Sequence, residues 1–382
     1  MIDTVSITLS ETDYKILDHN KFSPCTKNLY EPPYIRVTGR SPFKAINNPT
    51  KGDRLKYGYL PRLTLMKAIR AGGFTIFLKV EFSVPKLLYG NNFDEVEESN
   101  FGDICWKLKN ALYLMGVEVK DIKKLAYANI STIHYSKNII LTDHSTPYTY
   151  LKEIQKININ QNLDTNQTDF RNEGHSVKYR SNDFEVTFYD KLKDLKQAKK
   201  SDKRAIEKDN GIQLSLFDTF KVKQPFEVLR IEVRIGSRRK LKQLLKKYNL
   251  QGKERNFNDL FSKEVSKAIL LSIVDDVENK YPKILRTESD TLQKFTIDLQ
   301  INNPKLKYSQ LLKLIGAKAL IQEIGVREFR KITSKYGNTQ WYRLNKGMQA
   351  LKYGKSNDIF KTVREAVETF DTIKLDKYKD KM

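Results

Sequence analysis

Residues 74–84 read FTIFLKVEFSV, a run of aromatic, aliphatic and β-branched residues that predicts a strand covered on both faces. Gly72 and Gly73 precede the run and Pro85 ends it. Further strand patterns cover residues 2–9, 126–141, 177–179, 184–190 and 228–235. An apolar stripe with helical spacing over residues 101–115 lies among them. This order predicts an α+β (mixed α/β) fold with a central, largely antiparallel sheet and flanking helices.

Helical periodicity dominates the C-terminal part of the sequence. Three short helices are predicted over residues 308–321, 326–336 and 338–351, punctuated by Gly325 and Gly337. A compact, basic helical unit is typical of a helix-turn-helix DNA-binding domain. It is also typical of an appendage that packs on the sheet or mediates oligomerisation. We therefore predict a sheet-based domain over residues 1–245 and a helical C-terminal domain over residues 246–382.

The charge balance indicates a polyanionic partner. The chain has 382 residues, with 69 Lys and Arg against 46 Asp and Glu, and a net charge of +23. Clustered cations displace counterions from phosphates, so nucleic acid is the predicted partner. The sequence has no apolar run long enough to span a membrane and no signal-peptide pattern, which predicts a cytoplasmic protein without a membrane partner. Cys25 and Cys105 are too few for a disulfide scaffold or a cysteine-based zinc finger.

The motifs of several enzyme classes are absent from the sequence. It contains no Walker A phosphate loop, no GxGxxG after a strand, no HExxH and no GxSxG. Its four histidines include no His-hydrophobe-His pair, the metal-binding arrangement of one large class of DNA-nicking enzymes. Nucleotide hydrolysis and zincin chemistry therefore have no support in the sequence.

Two glutamates interrupt apolar strand patterns: Glu81 in LKVEFSV and Glu232 in LRIEVRI. A carboxylate within an apolar strand is costly unless a partner or a cation neutralises it. One sheet face could collect both glutamates and an imidazole such as His134, a ligand set that suits Mg²⁺ or Mn²⁺. The alternative is a solvated strand face on which the glutamates pair with basic neighbours: Lys79, Arg230 or Arg234.

Tyr189 lies near the end of the strand pattern FEVTFYD, with Lys191 two residues further on. A cation or metal close to a phenol lowers its pKa and activates it as a nucleophile. By themselves, Tyr189 and His134 are equally consistent with ordinary packing roles.

Five patches of the sequence resemble, in the same order, the replication initiator endonucleases of filamentous phages, which are relatives of plasmid rolling-circle initiators. The patches are MIDTVSITLS (1–10), FLKVEFSVPKLLYGNN (77–92), IHYSKNI (133–139), FYDKLKDLK (188–196) and VLRIEVRIGSRRKLKQL (228–244). The C-terminal stretch LLKLIGAKALIQEIGVREFRKI also resembles the helical region of that family.

The resemblance implies an enzyme that binds double-stranded origin DNA with a divalent metal and nicks one strand. A tyrosine attacks one phosphodiester, the protein becomes linked to the 5′ phosphate, and the freed 3′ hydroxyl primes rolling-circle replication of a phage or plasmid. A later transesterification rejoins the displaced single strand. Residues 1–245 would then be the nicking domain.

Carried over by position, the resemblance implies Tyr189 and Lys191 as catalytic residues, and Glu81 and Glu232 as metal ligands. Family members have an acidic residue in the strand where this chain has Ser131. His134 lies three residues on, so either it replaces that ligand or the metal is bound by the two glutamates alone.

Two basic runs flank these positions. The residues predicted to contact DNA are Lys193, Lys196, Arg230, Arg234, Arg238, Arg239 and Lys240. Phosphate contacts of this kind give affinity without sequence selectivity. The alternative is that a lysine-rich run only keeps the surface soluble.

Residues 213–217, QLSLF, look like the pentapeptide by which bacterial replication proteins dock on the sliding clamp. The motif residues are Gln213, Leu214, Leu216 and Phe217. The alternative is an amphipathic strand whose leucines pack inward. The protein partners implied in the bacterial host cytoplasm are the sliding clamp and the host helicase.

Two other functions stay open at this point. A non-catalytic DNA-binding regulator or replication repressor on the same scaffold would bind origin DNA without nicking it. An RNA-binding protein would prefer structured RNA, although the sequence has no RRM or KH signature.

Overall fold

The computed structural model describes residues 1–27, 43–70, 73–141, 145–157, 169–171, 174–194, 227–250, 252–288, 291–355 and 358–374. Its strands are β1 (Ile2–Ser10), β2 (Tyr14–Ile16), β3 (Phe43–Asn47), β4 (Arg62–Arg70), β5 (Gly73–Ser83), β6 (Val117–Val119), β7 (Asn129–Leu141), β8 (Asp169–Arg171), β9 (Ser176–Arg180), β10 (Phe184–Asp190) and β11 (Glu227–Ile235). Its helices are α1 (Lys51–Tyr57), α2 (Val84–Tyr89), α3 (Phe101–Leu114), α4 (Ile122–Ala126), α5 (Pro147–Gln155), α6 (Arg238–Lys247), α7 (Phe257–Leu260), α8 (Lys263–Lys280), α9 (Leu292–Asn302), α10 (Tyr308–Ser334), α11 (Asn338–Ala350) and α12 (Lys361–Thr369).

Nine of the described strands form one sheet in the order β3-β4-β5-β1-β7-β11-β10-β9-β8. Every neighbouring pair in this sheet is antiparallel. The polar residues 181–183 connect β9 and β10 as a hairpin, closed by the N–H of Ser181 donating to the carbonyl of Phe184 at 2.7 Å. The predicted α+β fold with an antiparallel central sheet is therefore confirmed.

One face of the sheet forms the main apolar core. Successive side chains of a strand point to opposite faces, so alternate residues such as Ile231, Val233 and Ile235 share this face, each at most 1% exposed. Apolar side chains of α2, α3, α5, α6, α7 and α8 belong to the same core. The helices thus cover one face, and polar side chains of the same strands, such as Ser136 and Glu232, lie on the other.

The core of the sheet extends beyond residue 245. The predicted domain boundary at 245/246 falls within α6, and buried residues of α7 and α8 pack in the same core as β7 and β11. Helices α9, α10 and α11 lie outside this core, and we call them the helical excursion. After them the chain returns to the sheet, and Phe360, Val363 and Val367 of the α12 region join its core. The apolar stripe of α8 faces the sheet, which is why this helix belongs to the sheet domain.

A second, smaller apolar core holds the helical excursion together. Its buried side chains come from α9, α10, α11 and the turn before α9, and include Ile284, Phe295, Ile321, Phe329 and Trp341. None of the helices within the described ranges has the length and hydropathy that a membrane-spanning segment requires.

Gly325 interrupts α10 where the sequence predicts a break between two helices. Its φ of 77° lies in the left-handed region, and an added Cβ would lie 3.2 Å from the Cα of Lys156. The N–H of Val326 donates to the carbonyl of Lys156 at 3.0 Å. This close contact joins the helical excursion to the end of α5.

Candidate active site

Strand register brings the predicted polar residues of β7, β10 and β11 onto the face opposite the apolar core. Glu232 lies across from Thr187 of β10 and Ser136 of β7. His134 lies across from Arg234, and Tyr189 from Arg230. All of these positions alternate with buried apolar residues, so their side chains share the polar face.

A bulge in β1 adds Asp3 to this group. The β1–β7 pairing passes from Ile2 opposite Tyr135 to Thr4 opposite His134, a register shift that leaves Asp3 as the extra residue. The Asp3 carboxylate accepts a hydrogen bond from the guanidinium of Arg230 at 2.6 Å.

Asp3, His134 and Glu232 form the candidate metal centre. One ligand atom from each lies within 4.8 Å of the other two. Two carboxylates and one imidazole are a donor set suited to Mg²⁺ or Mn²⁺, so the residues present fit the predicted ion. The Glu232 side chain is only 4% exposed, and a buried carboxylate needs the opposite charge of a cation or a basic side chain.

Basic neighbours keep the buried Glu232 ionised. Its Oε1 accepts from the Nε of Arg234 at 2.8 Å and lies 3.4 Å from the Nδ1 of His134. Burial raises the pKa of Glu232, but Arg234 and the hydrogen bond of His134 outweigh burial and hold that pKa well below its usual range. Glu232 is therefore an anion, and it could bind a metal ion without first losing a proton.

The Tyr189 hydroxyl lies against the same carboxylate, at 3.3 Å from the Oε2 of Glu232. Burial raises the pKa of Tyr189 well above its ordinary value, and the nearby positive charge of Arg230 only partly opposes this. The phenol is thus neutral and half-buried, and its ionisation would require additional positive charge.

Two buried cations, Arg230 and Lys191, flank Tyr189, and one residue contacts both. Asn92 accepts from Lys191 Nζ through its side chain at 3.0 Å and from Arg230 Nη1 through its backbone carbonyl at 2.9 Å. The Nε–H of Arg230 is buried and has no acceptor among the described residues, so a ligand oxygen could accept from it. Burial and the neighbouring Arg230 lower the pKa of Lys191 to about 7.

Glu95 anchors the segment that carries Asn92. This segment follows α2, which ends at the left-handed Gly90. The Glu95 carboxylate accepts from the N–H of Asn138 at 2.7 Å and from the N–H of Ile373 at 3.1 Å. Residues 91–95 are thereby fixed between the end of β7 and the C-terminal segment.

The structure does not bring Glu81 to this centre. Glu81 lies on the polar side of β5, and β1 and β7 separate β5 from β11. Its carboxylate is 3.6 Å from the Nζ of Lys79 and is 43% exposed. Ser131 donates its hydroxyl hydrogen bond to the backbone carbonyl of Ser6 at 3.0 Å. Of the three predicted ligands, His134 and Glu232 lie together, and Asp3 takes the third position.

Several residues predicted to contact DNA lie along β11 and at the start of α6. Arg234 is 41% exposed and Arg239 is 83% exposed, whereas Arg230 is buried, with its guanidinium bound to Asp3 and Ser136. The remaining predicted contacts in the described part of the chain are Lys193, Arg238 and Lys240. Lys196 and the clamp-like residues Gln213, Leu214, Leu216 and Phe217 lie outside the described residues.

Two other tyrosines of the sheet, Tyr135 and Tyr179, have their hydroxyls on the apolar side. Tyr135 donates to the carbonyl of Leu260 at 3.1 Å, and Tyr179 to the carbonyl of Ile154 at 2.8 Å. Burial raises the pKa of both phenols. Neither hydroxyl is placed to reach the face that carries Glu232.

Comparison with known proteins returns no match. No family model matches the chain, and neither a characterised protein nor a solved structure shows significant similarity to it.

A first prediction concerns the metal ligands. Glu232→Gln is expected to weaken Mn²⁺ binding at least about 100-fold, because it removes a charged ligand from the cluster. Isothermal titration calorimetry of the purified chain measures the affinity. Glu81→Gln is the matched control and should bind Mn²⁺ as the wild type does. Unchanged Mn²⁺ affinity in Glu232→Gln would place the ion outside the Asp3–His134–Glu232 centre.

Proposed function

We propose that this protein is a metal-dependent DNA nicking and rejoining enzyme that initiates rolling-circle replication of a phage or plasmid, with Tyr189 as its nucleophile. One observation carries the proposal: the Tyr189 hydroxyl lies 3.3 Å from Glu232, which belongs to a three-ligand cluster suited to Mg²⁺ or Mn²⁺. The order of the sequence patches that resemble phage initiators supports the same function, as does the net charge of +23.

In the proposed reaction, the Tyr189 oxygen attacks the phosphorus of one phosphodiester. The bond between phosphorus and the 3′ oxygen breaks, the phenol gives up its proton, and the leaving oxygen gains one. The protein is then joined to the 5′ phosphate, and the 3′ hydroxyl is free to prime synthesis. When bound, the divalent ion would supply positive charge that lowers the pKa of the phenol and stabilises the charge on the phosphate oxygens.

The residues around Tyr189 have separate roles in this proposal. Asp3, His134 and Glu232 hold the ion. Glu232 also orients the phenol, because it accepts the hydrogen bond of the Tyr189 hydroxyl. Arg230 provides positive charge near the attacking oxygen, and Lys191 provides it near the ring, with its Nζ 5.8 Å from the ring centroid of Tyr189. Asn92 positions these two cations through its hydrogen bonds to both.

Recovery of a covalent adduct tests the proposed function. The full chain is incubated with Mn²⁺ and a pool of supercoiled plasmids that carry random inserts, then denatured with detergent. We expect nicked circles and protein joined to a 5′ phosphate at one DNA sequence, with the DNA on the peptide that contains Tyr189. DNA binding without nicks or adducts in either Mg²⁺ or Mn²⁺ would instead support a non-catalytic regulator.

A second prediction follows from the buried amine of Lys191. With a pKa of about 7, the amine loses its positive charge as the pH rises from 6 to 8. The charges around it are Arg230 and Glu232 on β11, Asp3 on β1 and Asp194 on its own helical turn. The affinity for origin DNA should therefore fall over this pH range.

Lys191→Arg provides the matched variant for this measurement, since a guanidinium stays charged across the whole range. Fluorescence anisotropy at constant ionic strength should show a flatter pH dependence for the variant. Identical pH profiles for the two proteins would mean that Lys191 does not contact the bound DNA.

A further inference from the structure

An open groove of about 800 Å³ lies between the two halves of α10 and α11. Its lining is mainly apolar and includes Leu314, Ala317, Leu320, Phe329, Leu344 and Leu351. The groove lies in the helical excursion, which has its own apolar core, and it contains none of the residues of the candidate active site. A concave, helix-lined apolar surface of this kind is suited to an amphipathic helix.

Two glycines lie on opposite walls of the groove, Gly316 in α10 and Gly347 in α11. A glycine in a helix interior destabilises the helix relative to alanine, and a close approach of backbones normally accounts for it. A Cβ at either position would meet no heavy atom of the described residues within 4 Å. Packing within the described structure therefore does not require glycine at positions 316 and 347. A bound segment that enters the groove would require it.

The charge at the groove indicates the chemistry of its occupant. Lys313 and Arg343 are the only charged residues in its lining, and neither has an acidic partner within 4 Å among the described residues. Residues 305–352 contain eleven Lys and Arg but only two acidic residues, Glu323 and Glu328. An acidic segment complements this surface, and a basic one does not.

We propose that the groove binds an acidic amphipathic helix of a partner protein. Apolar residues of that helix at positions i, i+3 or i+4, and i+7 enter the groove, and its acidic residues lie against Lys313 and Arg343. Single-stranded nucleic acid fits less well, because it requires cations along its whole backbone and aromatic rings for its bases. Among the described residues, Tyr336 is the one aromatic residue in the lining apart from the buried Phe329.

Three labelled probes test this proposal on the full chain. They are an 18-residue helical peptide with leucines on one face and glutamates on the other, the same peptide with lysines in place of glutamates, and an oligonucleotide of twenty thymidines. Fluorescence anisotropy should show the glutamate peptide binding at least tenfold more tightly than the lysine peptide. The double variant Lys313→Glu/Arg343→Glu should reverse that preference.

Filling the groove provides the second arm of the experiment. The variant Gly316→Leu/Gly347→Leu should bind the glutamate peptide at least tenfold more weakly than the wild type. The melting temperature of this variant should not fall, because the substitutions remove two glycines from helix interiors. Gly102→Leu is the matched control, since Gly102 lies in α3 outside the groove and its Cβ would also meet no heavy atom of the described part of the chain within 4 Å. This variant should bind the peptide as the wild type does.

Four outcomes would overturn the proposal. Three are binding results: equal binding of the two peptides, unchanged peptide binding in the filled variant, and tighter binding of the oligonucleotide through the same groove residues. The fourth is a dimer of the wild type, detected by light scattering, that the filled variant does not form. The last would identify a second copy of this chain as the occupant. None of these measurements depends on DNA nicking, so the result is separate from that of the proposed function.

Discussion

Tyr189→Phe is expected to remove the covalent protein–DNA adduct entirely and to lower the nicking rate by at least about 10³-fold, because it removes the proposed nucleophile. The substitution deletes one oxygen and keeps the ring. The described hydrogen bond of that oxygen is the one to Glu232, so folding stability should change by only about 1 kcal/mol. Affinity for origin DNA should be retained. Gel analysis of supercoiled DNA, together with detergent-stable adducts, measures the effect.

A second tyrosine variant controls for general effects of the same substitution. Tyr127→Phe alters a side chain that is 61% exposed and lies outside the candidate site, so nicking should be unchanged. Persistence of the adduct in Tyr189→Phe would contradict the proposal. Loss of DNA binding along with nicking would instead indicate that Tyr189 has a binding role.

Six strands of the sheet could be predicted because they have strong local signals, whereas β3, β4 and β8 were not predicted. The alternation through Ile231 and Val233 determines a strand and its apolar face. The run around Leu78 also determines a strand, but the prediction that both of its faces are covered was wrong, because Lys79 and Glu81 on the second face are 33% and 43% exposed. Domain limits were harder to predict, since α8 has helical periodicity like the C-terminal unit but packs on the sheet. Periodicity identifies which face of a helix is buried, and it does not identify the surface against which that face packs.

The candidate site was only partly predictable, because register is not a local property. Glu232, Tyr189 and His134 stand out as polar residues in apolar strands, and the structure places them together. Glu81 has the same signal, yet its strand lies beyond β1 and β7 from Glu232. Choosing between these glutamates required the order of strands in the sheet.

Asp3 and Asn92 gave no comparable signal in the sequence. Asp3 is near the start of a strand pattern, and only the bulge in its pairing with β7 directs it to the site. Asn92 belongs to a loop, and its role depends on contacts with Lys191 and Arg230, which are about 100 and 140 residues away. The patch GNN at 90–92 was part of the resemblance to phage initiators, which was the one available indication.

Lys137→Met is expected to destabilise the fold by about 3–5 kcal/mol, because it leaves the buried carboxylate of Glu95 without its ionic partner. The Lys137 Nζ lies 2.5 Å from Glu95 Oε2, and the two side chains are 2% and 7% exposed. The amine also donates to the carbonyl of Asp371. Urea unfolding measures the change in free energy.

Two controls separate the buried pair from a surface pair. Glu95→Gln/Lys137→Met removes both charges and should be more stable than Lys137→Met alone, since no buried charge is left unpaired. Lys331→Met breaks an exposed pair with Glu328 and should change stability by less than about 1 kcal/mol. A cost of less than 1 kcal/mol for Lys137→Met would show that Glu95 is hydrated or protonated once it is alone.

The same pair has a consequence for stability in acid. Burial acts to raise the pKa of Glu95, but the charge of Lys137 and the hydrogen bonds to the carboxylate outweigh it, so this pKa is lower in the folded protein. A carboxyl group with a lowered folded pKa contributes stability above its unfolded pKa of about 4.3, and that contribution is lost as the pH falls. The wild type should therefore lose stability below pH 4 more steeply than Glu95→Gln/Lys137→Met.

The buried pair also bears on the candidate site, because Glu95 fixes the segment that carries Asn92. Lys137→Met and Glu95→Gln/Lys137→Met should therefore both nick DNA more slowly than the wild type, even at a pH where the double variant is fully folded.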